Sequence, residues 1–204
     1  MVVVDGRTHI GRSRNSTSEI AAEELIEQMD RNGIDVSVLH ALPSACTLLH
    51  YEVEHQHVIE LTRQFPKRFF GMVCIPPQVG KQVYMRDARR YVEEHGFVSL
   101  KYHCLFHGGS IEQPEAHTVY EAGQELGVPV TVHTGPGIPW SSPSLLIPIA
   151  QQYPDVTFIA AHSGGWLLSN EAVVAAQQCE NLYLDSSWQY PPTLSKFLSS
   201  LGAH

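Results

Sequence analysis

Seven short apolar segments, separated by helical patterns, limit the folds that this chain can adopt. Each segment is rich in β-branched or aromatic residues, and strand starts recur roughly every 25 to 35 residues, the length of one β–α unit. Apolar strands that alternate with helices are typical of a parallel sheet covered by helices. The predicted strands are Val2–Val4, Val36–His40, Phe69–Ile75, Phe97–His103, Val128–His133, Thr157–His162 and Leu182–Asp185.

Helix signals lie between these strands. Ser18 is a suitable N-cap for the first helix, and Gly33 follows its last residue, where glycine commonly ends a helix. Gly96 and Gly127 end two further helices in the same way, and Pro114 precedes another. The predicted helices are Ser18–Asn32, Glu52–Phe65, Lys81–Glu94, Glu115–Leu126, Ser144–Tyr153 and Trp166–Glu180.

The number of β–α units favours a barrel. Seven units are too many for a small doubly wound sheet, and no G-x-G-x-x-G fingerprint follows the first strand. We therefore predict an α/β fold of the (β/α)8 TIM-barrel type without its eighth strand, in one domain over residues 1–204. An unclosed barrel exposes two sheet edges, which predicts either the pairing of chains in a homo-oligomer or poor solubility.

Composition excludes several classes of protein and partner. The chain is 43% apolar and 17% charged, which is typical of a soluble globular protein. A net charge of −8 argues against nucleic acid and anionic membranes as partners, and the N-terminus has no signal-peptide pattern. The four cysteines are widely spaced and form no CxxC pair, as expected of reduced thiols. We therefore expect a cytoplasmic protein that binds a small molecule.

Polar side chains stand where the predicted strands end. Two strands end in His133 and His162, each followed by a hydroxyl residue and glycine, and His9 follows the first strand. Because chemistry in such barrels lies at the C-terminal ends of the strands, we expect these side chains to converge. We expect His40 and His103 to be structural or peripheral. The strand ends carry Arg7, His9, His40, Lys101, His103, His133, His162 and Asp185.

Several of these residues keep two interpretations. Lys101 either extends its amine from the rim to solvent or faces a cavity. Asp5 either orients a ligand histidine or bonds neighbouring backbone, and Asp185 either bonds backbone or supports His162. Three tryptophans either line the mouth of the predicted barrel or only cover its core. They are Trp140, Trp166 and Trp188. Solvent-facing positions are predicted for His50, His55, His57, His95 and His117.

Seven segments in order along the chain resemble the amidohydrolase superfamily. The resemblance is to the amidohydrolase-related group that includes aminocarboxymuconate-semialdehyde decarboxylase, and it covers essentially the whole chain. Its specificity comes from the ordered set, since no single motif decides it. The segments are Val4–His9, Met29–Val36, Pro66–Gly71, Gly96–Lys101, Val132–Gly135, Ala161–Gly165 and Asn181–Ser187.

The resemblance implies a site. In that group an H-x-H pair after strand 1, a histidine after strand 5 and an aspartate after strand 8 hold one divalent metal, and a histidine after strand 6 transfers protons. His9 and His133 correspond to metal ligands, and His162 corresponds to the catalytic histidine. The expected metal is zinc, with manganese as the alternative. Arg7 replaces the first histidine and cannot bind a metal, and the strand 8 aspartate is missing. We therefore expect weakened metal binding unless His162 or a carboxylate from outside the set takes the place of a missing ligand.

The resemblance also implies a function. It predicts a metal-dependent hydrolase or non-oxidative decarboxylase acting on a small carboxylated substrate, whose negative charge Arg7 and Lys101 bind. Two alternatives stay open. One is a truncated or degenerate barrel that keeps the fold without catalysis. The other is a metal-free, lactonase-like hydrolase in which Arg7 clamps an anionic substrate.

Overall fold

The computed structural model describes residues 2–12, 19–42 and 45–202. Contacts between residues divide the chain into two compact units, Met1–Leu100 and Lys101–His204. Parallel strands alternate with helices in both units, as the sequence predicted. Within the described residues, no helix combines the length and the apolar character that crossing a membrane requires.

The first unit is built on strands that pair in parallel in the order β1, β3, β4 and β5. Its strands are β1 (Val4–Arg12), β2 (Glu19–Ile20), β3 (Val36–Ala41), β4 (Phe69–Val73) and β5 (Ser99–Tyr102), the last of which continues into the second unit. Its helices are α1 (Ala22–Asn32), α2 (Tyr51–Gln64) and α3 (Lys81–Arg89), and α3 continues as a π-helical turn over Arg90–Glu94.

The start of α1 differs from the prediction. The helix begins at Ala22, and the predicted cap Ser18 lies outside the described residues. The intervening β2 pairs antiparallel with the end of β1, so its backbone groups bond a strand instead of opening a helix. The predicted end is confirmed. Gly33 has a φ of 66°, and its N–H bonds the carbonyls of the last helical turn.

The second unit contains three strands that pair in parallel in chain order. Pro114 opens the first helix of this unit and Gly127 ends it, in agreement with the sequence signals. The last helix was not predicted, although it also opens on prolines, which are tolerated in a first helical turn. The elements are α4 (Pro114–Leu126), β6 (Val130–His133), α5 (Leu146–Gln152), β7 (Phe158–Ala161), α6 (Gly165–Gln178), β8 (Leu182–Leu184) and α7 (Pro191–Leu201).

His55 lies in the core of the first unit, so its predicted solvent-facing position is wrong. Its Nε2 accepts the backbone N–H of Cys74 at 2.9 Å, and its Nδ1 lies 2.6 Å from the carbonyl of Tyr51. The rings of Tyr91 and Phe97 stack on it at centroid distances of 4.3 and 5.8 Å. Burial lowers the pKa of His55, and the neutral ring satisfies both backbone groups.

The buried neutral His55 predicts acid sensitivity. Its pKa is lower in the folded chain than in the unfolded chain, so its stabilising contribution is complete above about pH 6.5 and is lost as the pH falls towards the folded pKa. The free energy of unfolding should fall by up to about 1.4 kcal/mol per pH unit from this residue alone. Urea unfolding between about pH 7 and pH 5 measures the effect. His55→Gln should flatten this pH dependence, whereas His57→Gln, at an exposed position of the same helix, should leave it unchanged.

Gly71 allows the close packing of β4 against Phe97. A methyl group at position 71 would overlap the Phe97 ring, which is 2% exposed and held by its neighbours. We therefore expect Gly71→Ala to lower the free energy of unfolding by about 1–3 kcal/mol in urea titrations. Gly6→Ala on β1 is the matched control, because an added methyl there meets nothing within 4 Å. Equal unfolding midpoints for the two variants would contradict this packing.

Candidate active site

Two predicted site histidines come together in the second unit at the carboxyl ends of neighbouring strands. His133 is the last residue of β6 and pairs with Ala161, the last residue of β7, so His162 follows directly beside it. The two ring centroids lie 5.1 Å apart, with the ring planes at 76°. Both residues are buried, with exposed fractions of 8% and 4%. This edge of the sheet therefore holds two imidazoles within direct reach of each other.

Two further rings extend this pair. The ring of His103 stacks on His133 at a centroid distance of 3.9 Å, and the indole of Trp188 stacks on His162 at 4.0 Å. We call His103, His133, His162 and Trp188 the ring row. Its first member was expected to be structural or peripheral, yet it packs directly on a predicted ligand. The imidazole of His133 therefore has His103 on one side and His162 on another.

The backbone around His162 adopts a conformation that non-glycine residues rarely take. His162 has a φ of 63°, Ser163 of 44° and Trp188 of 59°, all in the left-handed region. Each such residue costs roughly 1–3 kcal/mol unless its surroundings enforce it. Here the side-chain amide of Gln189 donates to the His162 carbonyl at 2.6 Å, and the Ser163 hydroxyl donates to the Asp185 carbonyl at 2.7 Å. The loop after β8 therefore holds the turn that carries His162.

The same loop contacts the imidazole of His162 itself. The Ser187 hydroxyl oxygen lies 2.9 Å from His162 Nδ1, and the same hydroxyl also bonds Asp185 Oδ1. Asp185 Oδ1 accepts the backbone N–H of Ser187 at 2.7 Å as well. Both sequence interpretations of Asp185 thus describe real contacts, since it bonds backbone and reaches His162 through the serine. Sequence reasoning missed Ser187, whose one signal was its place two residues after a strand-end aspartate.

Lys101 is fully inside the protein. It lies on β5 with an exposed fraction of 1%, so the interpretation in which its amine extends to solvent is wrong. Its positive charge lowers the pKa of the nearby Cys104 thiol, but burial outweighs this effect and raises that pKa to about 12. Cys104 is therefore a neutral thiol at physiological pH, and its Sγ donates to the His133 carbonyl. A thiol that stays protonated is a poor nucleophile.

Arg7 and His9 lie on β1 in the first unit. The ladder between β1 and β3 shifts register between Asp5 and Thr8, so Arg7 stands in a bulge, a common device for redirecting a side chain. Asp5 accepts the Arg7 backbone N–H at 3.2 Å and the Thr8 hydroxyl at 2.7 Å, which matches its interpretation as a backbone partner. The His9 ring packs against buried His40 at 4.4 Å.

The predicted metal ligands are too few for a catalytic metal centre. Among the residues that the structure describes, no three His, Cys, Asp or Glu side chains are grouped so that they could hold an ion. A catalytic zinc usually keeps three protein ligands, whereas the predicted set contains only His9 and His133. Arg7 stands where the resemblance requires another histidine. The described residues therefore do not fit the metal centre that the resemblance implies.

Comparison with known proteins settles the family. A sequence model of the family described as Amidohydrolase (Amidohydro_2) matches residues 19–201. The chain belongs to the amidohydrolase family. This confirms the resemblance drawn from the ordered segments. No curated protein matches the chain.

Solved structures confirm the fold of this amidohydrolase. A Staphylococcus aureus protein assigned as an amidohydrolase has a TM-score of 0.76 and 15% identity, over 99% of this chain and 85% of that one. The 5-carboxyvanillate decarboxylase of Novosphingobium aromaticivorans, solved with manganese and 4-hydroxy-3-methoxy-5-nitrobenzoic acid, has a TM-score of 0.72 and 16% identity, over 98% and 83%. The 4-oxalomesaconate hydratase of Rhodopseudomonas palustris has a TM-score of 0.68 and 15% identity, over 98% and 78%.

These similarities show the fold alone, because the identities are low. The α/β fold of the TIM-barrel amidohydrolases is therefore established for this chain, and seven parallel strands lie within its described residues. The roles of the individual site residues stay predictions.

Proposed function

We propose that this amidohydrolase-family chain is a non-oxidative decarboxylase of small carboxylated substrates in which His162 transfers the proton. The observation that carries the proposal is the buried pair of His133 and His162 at neighbouring strand ends, with His162 held in a strained turn. Strain that the surroundings enforce is common at catalytic positions, where it fixes a side chain before the substrate arrives. Family membership and structural similarity to a decarboxylase support the same chemistry.

The reaction needs a proton donor and a cation. In decarboxylation a proton adds to the carbon that bears the carboxylate, the C–C bond to that carboxylate breaks, and CO2 leaves as the carbon keeps its new C–H bond. Imidazole suits this exchange, because its ordinary pKa lies close to physiological pH. His162 is proposed to exchange the proton. Buried Lys101 is proposed to bind the negative charge of the substrate, the role also proposed for Arg7.

Activity against two aromatic carboxylates tests the proposal. The purified chain, with manganese or zinc added, is incubated with 5-carboxyvanillate or 2,6-dihydroxybenzoate, and loss of the carboxylate is followed by chromatography. We expect His162→Asn to lower kcat by about 10²- to 10⁴-fold, the usual contribution of a general acid–base residue. His57→Asn, on exposed helix surface, should keep full activity.

The outcomes separate the alternatives. Full activity of His162→Asn would overturn the role of this histidine. Hydrolysis of lactone or amide substrates without any decarboxylation would replace the proposal with the hydrolase interpretation. Complete inactivity of the folded wild-type chain towards both classes would favour the non-catalytic barrel.

The assignment of His9 and His133 as ligands of a divalent metal, zinc or manganese, stays a prediction from the sequence, because the described residues do not form a complete set of ligands. Arg7 opposes this binding twice, because it lacks a lone pair and carries a positive charge. We therefore propose that the chain binds a divalent metal only weakly while Arg7 is present.

Replacement of the arginine tests this account. We expect Arg7→His to increase the metal that stays bound after dialysis against zinc or manganese, measured by elemental analysis of the folded protein. Arg63→His, on an exposed part of α2, adds a histidine without restoring a ligand position and should bind no more than wild type. Near-stoichiometric metal in the wild-type chain, or equal metal in all three proteins, would contradict the effect assigned to Arg7.

A further inference from the structure

We infer that Asp185 and Ser187 are positioning residues that fix the tautomer of His162, with the proton of the neutral ring on Nδ1 and the lone pair on Nε2. The chemical consequence, that Nε2 is the nitrogen that exchanges protons with a substrate, rests on the function proposed above. The tautomer itself does not, because it follows from hydrogen bonds within the second unit.

The Ser187 hydroxyl has two polar neighbours and a single proton. The Ser187 oxygen contacts both His162 Nδ1, at 2.9 Å, and Asp185 Oδ1. A serine hydroxyl has one proton to donate, and an ionised carboxylate can only accept. If the proton pointed to His162, the oxygen lone pairs of Ser187 and Asp185 would face each other. The proton therefore points to Asp185.

The ionised state of Asp185 is supported by a second contact. Its Oδ1 also accepts the backbone N–H of Ser187 at 2.7 Å, so two donors converge on this one oxygen. Hydrogen bonds from two donors stabilise the charged form of a carboxylate. With its own proton committed to Asp185, the Ser187 oxygen can only accept from His162. Nδ1 must then be the protonated nitrogen of the neutral ring.

This arrangement works against the preference of a free histidine, whose neutral ring carries its proton mainly on Nε2. Reversing that preference places the lone pair of the neutral ring on Nε2, while Nδ1–H stays bonded to Ser187. Trp188 stacks on the face of the ring at 4.0 Å and limits its rotation.

Nitrogen NMR of the full chain measures the tautomer directly. Protein labelled with ¹⁵N-histidine is studied at about pH 8, where an imidazole of ordinary pKa is neutral, and long-range ¹H–¹⁵N correlations distinguish protonated from unprotonated ring nitrogens. The signals of His162 are identified by their loss in His162→Asn. We expect a protonated, pyrrole-type Nδ1 and an unprotonated, pyridine-type Nε2.

Three variants test the positioning role of Asp185 and Ser187. Ser187→Ala removes the acceptor, so His162 should return to the Nε2–H preference of free histidine. Asp185→Ala frees the serine proton to point to Nδ1, which should also give Nε2–H. Ser187→Thr keeps a hydroxyl and should keep the wild-type tautomer. Ser195→Ala, at an exposed position on α7, is the matched control and should change nothing.

The outcomes are distinct. An Nε2–H tautomer in wild type, or an Nδ1–H tautomer that persists in both alanine variants, would overturn the inference. If Asp185→Ala does not fold, as judged by circular dichroism, the Ser187 variants decide alone. The NMR measurement uses no substrate, so it is independent of the proposed function. If the chain shows the expected tautomers but no decarboxylase activity, the positioning role of Asp185 and Ser187 is supported and the proposed function is rejected. In an active chain, Ser187→Ala should lower kcat by about 10- to 100-fold with little change in KM, and Ser187→Thr should restore it.

Discussion

The parallel pairing of β6 with β7, with His133 opposite Ala161, sets where the rings of the candidate site lie. Side chains alternate between the faces of a sheet, so a shift of one residue in this register would turn His133 away from its present neighbours. The correct register places its ring against His162 and leaves its other side for His103. The ring row is thus a consequence of strand pairing, and its chemistry depends on a backbone ladder.

Holding His162 has a cost that the loop after β8 offsets. The left-handed turn at His162 and Ser163 is unfavourable by itself, and hydrogen bonds from the loop make it the stable arrangement. The loop that enforces this turn also supplies Ser187, which contacts the imidazole. Backbone strain, side-chain orientation and proton placement therefore depend on one short segment. A site prepared in this way needs little reorganisation during a reaction.

Local signals predicted most strands and helices to within a few residues, because apolar periodicity, glycine and proline act over short distances. The first strand is an exception, since it runs over Val4–Arg12 instead of the predicted Val2–Val4 and therefore contains Arg7 and His9. Errors arose where partners distant in sequence decide. Residues 19–20 pair with β1, so α1 starts late. His55 has polar neighbours in the sequence and was predicted to face solvent, but in the folded chain its ring packs against Tyr91 and Phe97. Nothing in a strand-end pattern indicates that His103 stacks on another imidazole.

The amino-acid sequence alone determined the alternation of strands and helices, the family, and the two histidines at the carboxyl ends of neighbouring strands, His133 at the end of β6 and His162 directly after β7. These features depend on local periodicity and on ordered motifs, which a linear chain displays in full. Only the tertiary structure decided that Lys101 is buried, that His103 and Trp188 complete the ring row, and that Asp185 reaches His162 through Ser187. Such contacts join residues from different strands and loops, and their geometry exists only after the sheet has formed.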